Sequence, residues 1–303
     1  MIRTDPLTIV RALFDASRPE QVALMALVYA FGGFVAVSVG GTLSPATFAL
    51  SFVAFVPTAV TVHYANEYAD YETDSRANRT PFSGGSGALV RTGLPPLFLR
   101  RAMLLSSIVG VLAAVAALGA HVLPLSAFLI LLTIGIVGVQ YSLPPLELVW
   151  NGYGEVTNTI LGGVLLPAYG FTVVTESVPV TATLVFVPFA VLVFANLLTT
   201  HWADRKPDAS VGKETLAVRW DSHRLRRAYW LSVFVAYATL VFLGVGGIVP
   251  WVVVGAGLFA VPLSVWGGVR YTRVRSPFPA VAAMVVFAAA QTVVWLWVSL
   301  ARA

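Results

Sequence analysis

The chain has 303 residues, of which 58% are hydrophobic and 11% charged, and its mean hydropathy is +0.83. Soluble globular chains run at about 45–50% apolar and about 25% charged, so the composition excludes a soluble enzyme, a nucleic-acid-binding protein and a disordered chain, and describes an integral membrane protein. The net charge of +5 rests on 19 basic against 14 acidic residues, and there is no cysteine. No disulfide, thiolate nucleophile or Cys-ligated metal is therefore available.

Apolar runs of about 20 residues, the length that crosses a bilayer as a helix, predict nine spans. They lie at 21–39, 46–65, 98–120, 124–141, 156–174, 180–199, 229–247, 250–269 and 279–300. Gly or Pro punctuates the tight turns at Gly40-Gly41, Pro124, Pro179 and Gly246 to Pro250, as turn chemistry requires. The first run is too long for a cleavable signal peptide, and no small-residue cleavage site follows it. The fifth is diluted by Asn158, Gly162, Gly163 and Pro167. Gly32-Gly33 and Gly162-Gly163 predict close helix approach, and Trp150, Trp202, Trp230 and Trp251 fall near span ends, where indole belts form.

The charges sort to one side. With the N-terminus cytoplasmic, the inner segments hold 18 of the 19 basic residues, Arg302 being the exception, and the outer loops near 40–45, 121–123, 175–179 and 247–250 hold none. The positive-inside rule then sets the N-terminus in and the C-terminus out. Thirteen of the 14 acids lie on the inner side too, with only Glu176 outside. That rule does not sort acids, so their clustering calls for a separate reason.

Two long inner loops supply one. In the first, Asn66, Asp70 and Asp74 are spaced by four, so on a helix they share a face, drifting about 40° per step. Such a row repels itself unless a cation sits in it, and hard oxygen ligands suit Mg²⁺, which takes one or two carboxylates plus substrate phosphate. Glu67 and Glu72 point elsewhere on that helix. In the second loop Asp204 and Asp208 repeat the spacing; Pro207 between them requires a helix that begins or bends nearby. Four spans separate the loops, which returns them to one membrane face. That arrangement suits a single domain over 1–303, with similar four-helix halves at 21–141 and 156–269 and a ninth helix at 279–300. Beside Arg76, Arg79, Arg205 and Lys206 one such motif also reads as a solvated interfacial fringe. Two at equivalent positions describe a clamp for a diphosphate and Mg²⁺, with the bases neutralising phosphate oxygens.

These residues resemble the UbiA superfamily of intramembrane prenyltransferases. Its first motif, N-(D/E)-x-x-D-x-x-x-D, is met by Asn66, Glu67, Asp70 and Asp74, and its second, D-x-x-x-D, by Asp204 and Asp208. Nine helices with the motifs after helices 2 and 6 is also the family pattern, so the resemblance covers nearly the whole chain. The stretch from Asn78-Arg79 to Leu89, the run from Val211 through Lys213 to Arg219, Tyr141 to Pro145, and Gly152 to Glu155 are similar to the 1,4-dihydroxy-2-naphthoate polyprenyltransferase branch. Glu147, Asn151 and Thr200 depart from that branch, where Lys or Arg, Arg, and Asn are common. The first two departures remove positive charge and the third a ligand near the substrate, and they bear on the acceptor more than on the diphosphate.

The resemblance implies an all-α bundle of nine helices around a central cavity. It implies transfer of a polyprenyl group from its diphosphate to an aromatic acceptor, with pyrophosphate released. Asn66, Asp70, Asp74, Asp204 and Asp208 would carry Mg²⁺, the four aspartates being the catalytic set. Lys213 would contact phosphate directly, with Arg79 and Arg219 behind it; both arginines read equally as topology-setting surface cations. An aromatic-lined cavity would shield the allylic cation from water and admit the prenyl tail from the lipid bilayer. Tyr68, Tyr71 and Tyr141 are candidates for that lining, with interfacial packing the competing reading. His63 and His201 stand beside the motifs as candidates for acceptor binding or catalysis, against interfacial hydrogen bonding. Dihydroxynaphthoate as acceptor would lose its carboxylate on prenylation and lead to menaquinone. The alternatives are another branch, prenylating 4-hydroxybenzoate or geranylgeranylglyceryl phosphate, and a membrane carrier. Against a carrier, the acids crowd one face and the spans carry almost no charge.

Overall fold

Proline sets most of the helix starts in the computed structural model, which describes residues 5–77 and 79–301; Arg3, Asn78 and Arg302 lie outside the described residues. A proline at the first turn gives up an N–H that has no helical partner anyway. It opens α1 (Pro6–Ala16), α2 (Pro19–Ser38), α3 (Pro45–Ala69) and, after the short α4 (Tyr71–Arg76) and α5 (Ala88–Thr92), α6 (Pro96–Gly119). α7 (Leu125–Ser142) follows Pro124, and α10 (Val180–Ser210) follows Pro179. Between them the fifth span is α8 (Gly154–Ile160), a π-helical turn at Leu161–Leu165, and α9 (Leu166–Thr175). The short α11 (Leu216–Arg219) leads to α12 (Ser222–Val245), the divided span α13 (Trp251–Leu258) and α14 (Val261–Arg270), and α15 (Phe278–Leu300).

Among the described residues nine stretches are long and apolar enough to cross a membrane, and they coincide with the nine runs read from the sequence. The first, Pro6–Ser38, is divided at Arg18, whose backbone is left-handed (φ 51°). α10 passes through Pro188 and Pro207 without ending, Pro207 falling in its last turn. At 31 residues it extends about 46 Å, against about 30 Å of hydrocarbon, so its motif-bearing end projects beyond the bilayer core.

The bundle closes by α2 packing on α9 and α15, α3 on α6 and α7, and α10 on α12 and α15. α10 is the most buried span and α6 the least, with 56% and 17% of their apolar windows buried. Glycine lets α2 and α9 touch: a Cβ on Gly32 would stand 1.8 Å from the Pro167 carbonyl oxygen, and one on Gly170 would stand 2.1 Å from that of Tyr29. Gly163 presses likewise on the Ala190 backbone, whereas Gly162 meets only its own helix at Asn158. Tyr29, Phe31, Phe55, Tyr169 and Phe186 fill the interior, and the phenols spend their hydroxyls on the Phe48 and Ser51 carbonyls, as buried polar groups must.

Candidate active site

The first motif survives a break in its helix. α3 ends at Ala69 and α4 begins at Tyr71, yet the Asp70 N–H still bonds the Asn66 carbonyl and the Asp74 N–H the Asp70 carbonyl, both at 2.8 Å. The i→i+4 register therefore runs through the junction and keeps Asn66, Asp70 and Asp74 on one face. Asn66 donates Nδ2–H to Asp70 Oδ2 at 2.8 Å and lies 3.3 Å from Ser142 Oγ.

The second motif occupies the end of α10, and two connections join it to the first. Lys213 follows the turn at Gly212 (φ +82°), its N–H bonded to the Asp208 carbonyl. Its buried ammonium lies 2.9 Å from Asp70 Oδ1 and 3.8 Å from Asp208 Oδ1, and 5.6 Å from the centre of the Trp150 ring. Burial alone would lower the Lys213 pKa, but the Asp70 and Asp208 carboxylates outweigh it and hold the ammonium above its usual range. The second connection is the loop before α5. Gly84 donates its N–H to Asp204 Oδ2 at 3.1 Å, while Gly85 lies so close to Asp74 that a Cβ would fall 1.9 Å from Oδ2.

A residue that helical spacing sets aside holds this loop. Glu67 is buried, and its Oε1 accepts from the Ser86 N–H at 2.6 Å and from Arg18 Nη2 and Nε at 2.5 and 2.9 Å. Its Oε2 accepts from Ser86 Oγ at 2.5 Å. The family motif marks the position as acidic, but nothing in the sequence pairs it with Arg18 or Ser86. A polar cleft of about 180 Å³ opens on the far side of the loop, lined by Arg18, Arg79, Ser86 and Arg91 among others.

Among the described residues no three His, Asp or Glu side chains converge on one point; the carboxylates form two sets that face across Lys213. The chemistry of the set nonetheless fits Mg²⁺ shared with a diphosphate. Burial first, and then the charges of Asp70 and Glu67, push the Asp74 carboxyl up to about 8, Arg18 and Lys213 offsetting only part, so an added cation would favour its charged form. Asp204 Oδ1 and Asp208 Oδ1 are buried without a hydrogen-bond donor, oxygens for which a divalent cation is the natural partner.

The remaining candidates separate. Arg79 is exposed and donates Nε–H to the Gly85 carbonyl at 2.9 Å, so it touches the bridging loop. Arg219 is turned away, 42% exposed and bonded to Glu214 at 2.6 Å, with its guanidinium over Gly152. Tyr68 and Tyr71 pack on a satellite core with Tyr64, Leu89 and Leu99. Tyr141 lies within electrostatic reach of Asp70, Asp208 and Glu155. His63 is buried with Nε2 unpartnered, facing the charge of Arg18. His201 pairs through Nδ1 with Glu155 Oε1 at 2.8 Å.

Comparison with known proteins agrees with the fold. A 206-residue stretch is 30% identical to 1,4-dihydroxy-2-naphthoate octaprenyltransferase of Bacillus subtilis (strain 168), covering 66% of this chain and 61% of that enzyme, so the matched stretch spans less than two thirds of the relative's length. In fold the chain is similar to a UbiA homolog from Archaeoglobus fulgidus bound to GPP and Mg²⁺, with a TM-score of 0.70, 14% identity, and 96% and 98% of the two chains covered. It is also similar to a digeranylgeranylglyceryl phosphate synthase, with a TM-score of 0.66, 11% identity, and 95% and 99% covered. Residues 26–288 match the UbiA prenyltransferase family, and with that match over most of its length the chain belongs to this family of membrane-embedded prenyltransferases.

Proposed function

We propose that the protein transfers a polyprenyl group from a polyprenyl diphosphate to an aromatic acceptor, 1,4-dihydroxy-2-naphthoate, releasing pyrophosphate on the way to menaquinone. The single observation that carries this reading is Lys213, whose ammonium spans from Asp70 to Asp208 and joins the two acidic motifs into one polyanion-binding site. The B. subtilis relative supports the acceptor by its name, and the A. fulgidus homolog supports a prenyl diphosphate with Mg²⁺ by its ligands.

In this reading Asn66, Asp70 and Asp74 on one side, and Asp204 and Asp208 on the other, hold Mg²⁺ against the diphosphate. The bound ion supplies charge that offsets the negative charge developing on the leaving pyrophosphate. Lys213 binds the same oxygens, Arg79 lies at the rim, and Arg219 sets the charge of the surface. The allylic C–O bond breaks with its electron pair leaving on pyrophosphate, and a ring carbon of the acceptor forms the new C–C bond. Tyr141, within electrostatic reach of Asp70 and Asp208, shields the developing cation from water. The charge asymmetry of the loops supports a cytoplasmic N-terminus, and with it a site facing the cytoplasm from the cell membrane.

The test is prenyl transfer by purified protein in detergent with Mg²⁺ and geranylgeranyl diphosphate. Dihydroxynaphthoate, 4-hydroxybenzoate and geranylgeranylglyceryl phosphate are offered separately, with Asp70→Ala and Asp204→Ala as controls. A prenylated naphthoquinol absent from both variants is the expected product. Product from another acceptor alone would overturn the acceptor assignment, and no pyrophosphate release with any acceptor would overturn the reading.

A further inference from the structure

Prenylating a hydroxyarene requires that a proton leave the acceptor, and none of the groups assigned above is free to take it. The carboxylates are committed to cation and loop, and Lys213 is held charged by two of them. Two imidazoles stand beside the motifs, and His63, buried against the charge of Arg18, has no carboxylate to stabilise a gained proton, which leaves His201. His201, Asp204 and Asp208 stand at i, i+3 and i+7 on α10 and so share a face. Because α10 runs outward toward its motif end, His201 lies about 4.5 Å deeper toward the bilayer than Asp204. That is the side on which the carbon end of a diphosphate held by the clamp must hang.

The state of that imidazole is set by its partner. Glu155 is fully buried, and its Oε1 accepts two bonds at 2.8 Å, one from the Leu216 N–H and one from His201 Nδ1. A carboxylate acceptor holds a proton on Nδ1, so exchange of a proton with a ligand falls to Nε2. Among the described residues the one bond of the ring runs through Nδ1, and the side chain is 14% exposed. Glu155 also ties three parts of the site: the start of α8, the clamp helix α10, and the loop that carries Lys213. In that loop Thr215 Oγ1 is buried without a partner, as is Nε1 of Trp150, whose ring lies 5.6 Å from the Lys213 ammonium; both are polar atoms available to a ligand.

We infer that His201 is the proton acceptor of the transfer and Glu155 the residue that positions it, for an acceptor with an ionisable aromatic hydroxyl; this rests on the function proposed above. The hydroxyl proton passes to Nε2 as the ring carbon forms its bond to the allylic carbon and pyrophosphate departs with the C–O pair. The alkylated ring regains aromaticity by losing the group on the attacked carbon: carbon dioxide from a carboxylated position, or a proton, which passes to the released pyrophosphate. The oxygen then takes its proton back from His201. The groups facing the imidazole are Glu155 from α8, Asp204 and Asp208 from α10, and Lys213.

His201→Asn tests this, because the Asn amide keeps an N–H for Glu155 but has no basic nitrogen. With geranylgeranyl diphosphate, Mg²⁺ and the hydroxyarene that the wild type uses, kcat falls about 100-fold or more, the usual worth of a general base. KM for the diphosphate stays within about twofold, since the clamp is intact. Imidazole added to His201→Ala restores part of the lost rate, which a merely structural histidine would not permit. His201→Asn turning over at the wild-type rate, or losing diphosphate binding in step with rate, would overturn the assignment. A wild-type protein that prenylates no hydroxyarene would instead overturn the function on which it rests.

Discussion

Ser86 donates both its N–H and its Oγ–H to the buried carboxylate of Glu67, at 2.6 and 2.5 Å. That contact, with Arg91 Nη1 donating to the Ser86 carbonyl at 2.8 Å, holds the loop before α5 over the carboxylates, with Gly84 on Asp204 and Gly85 on Asp74. Arg18 balances the Glu67 charge, so the loop, the first motif and the α1–α2 junction form one unit.

Glu67→Ala leaves the half-buried Arg18 without its counter-charge and Ser86 without its acceptor, a change that costs about 1–3 kcal/mol. A lowered thermal unfolding midpoint in detergent is expected, together with loss of transfer. Replacing both partners, Arg18→Met with Glu67→Met, removes the unpaired charge and recovers most of the midpoint. Transfer stays low, because Ser86 still lacks its acceptor. Parallel recovery of both quantities would show that the loop needs no anchor.

Lys213→Met removes the cation between Asp70 and Asp208. A fall in kcat/KM of about 100-fold, on the order of 3 kcal/mol of transition-state stabilisation, is expected. Lys213→Arg should recover little of it, because a planar fork does not replace a compact ammonium wedged 2.9 Å from one carboxylate and 3.8 Å from the other. Steady-state kinetics in prenyl diphosphate measure both.

Gly85→Ala places a methyl group where Asp74 Oδ2 now lies, at a position whose φ of +63° already disfavours a side chain. Displacement of Asp74 should weaken Mg²⁺-dependent transfer at least about tenfold, or about 1.4 kcal/mol, while leaving the helical circular dichroism unchanged. The Mg²⁺ concentration for half-maximal rate is the quantity to follow.

Gly32→Ala acts on the bundle instead. Its Cβ would meet the Pro167 carbonyl at 1.8 Å, and backbone cannot swing aside, so α2 and α9 must separate at a cost of about 1–3 kcal/mol. Thermal unfolding in detergent should register the loss.

The bundle was legible because each span is a local property: about 20 apolar residues suffice, wherever the partners lie. The four-residue spacing of Asn66, Asp70 and Asp74 was equally local, and it holds across the break at Asp70 because the hydrogen-bond register continues. Glu67 was set aside because helical spacing points it off that face, toward Arg18, 49 residues earlier, and Ser86, 19 later. The pairing of His201 with Glu155 joins residues 46 apart, and no periodicity reports such a contact. Arg219 was placed near phosphate by its motif, but Glu214, five residues before it, takes its guanidinium. The π turn at Leu161–Leu165 falls within the diluted fifth run and includes Gly162 and Gly163, and no periodicity reports it.

The central claim is that the two acidic motifs form one Mg²⁺-dependent diphosphate site. Calorimetric titration of geranylgeranyl diphosphate into the detergent-solubilised protein, with and without Mg²⁺, tests it most directly in the wild type, Asp70→Asn and Asp208→Asn. The expected result is that Mg²⁺ tightens binding at least about tenfold in the wild type and that either substitution abolishes the gain. An Asp208→Asn protein that keeps the full Mg²⁺ enhancement would contradict it, leaving the first motif to hold the diphosphate alone.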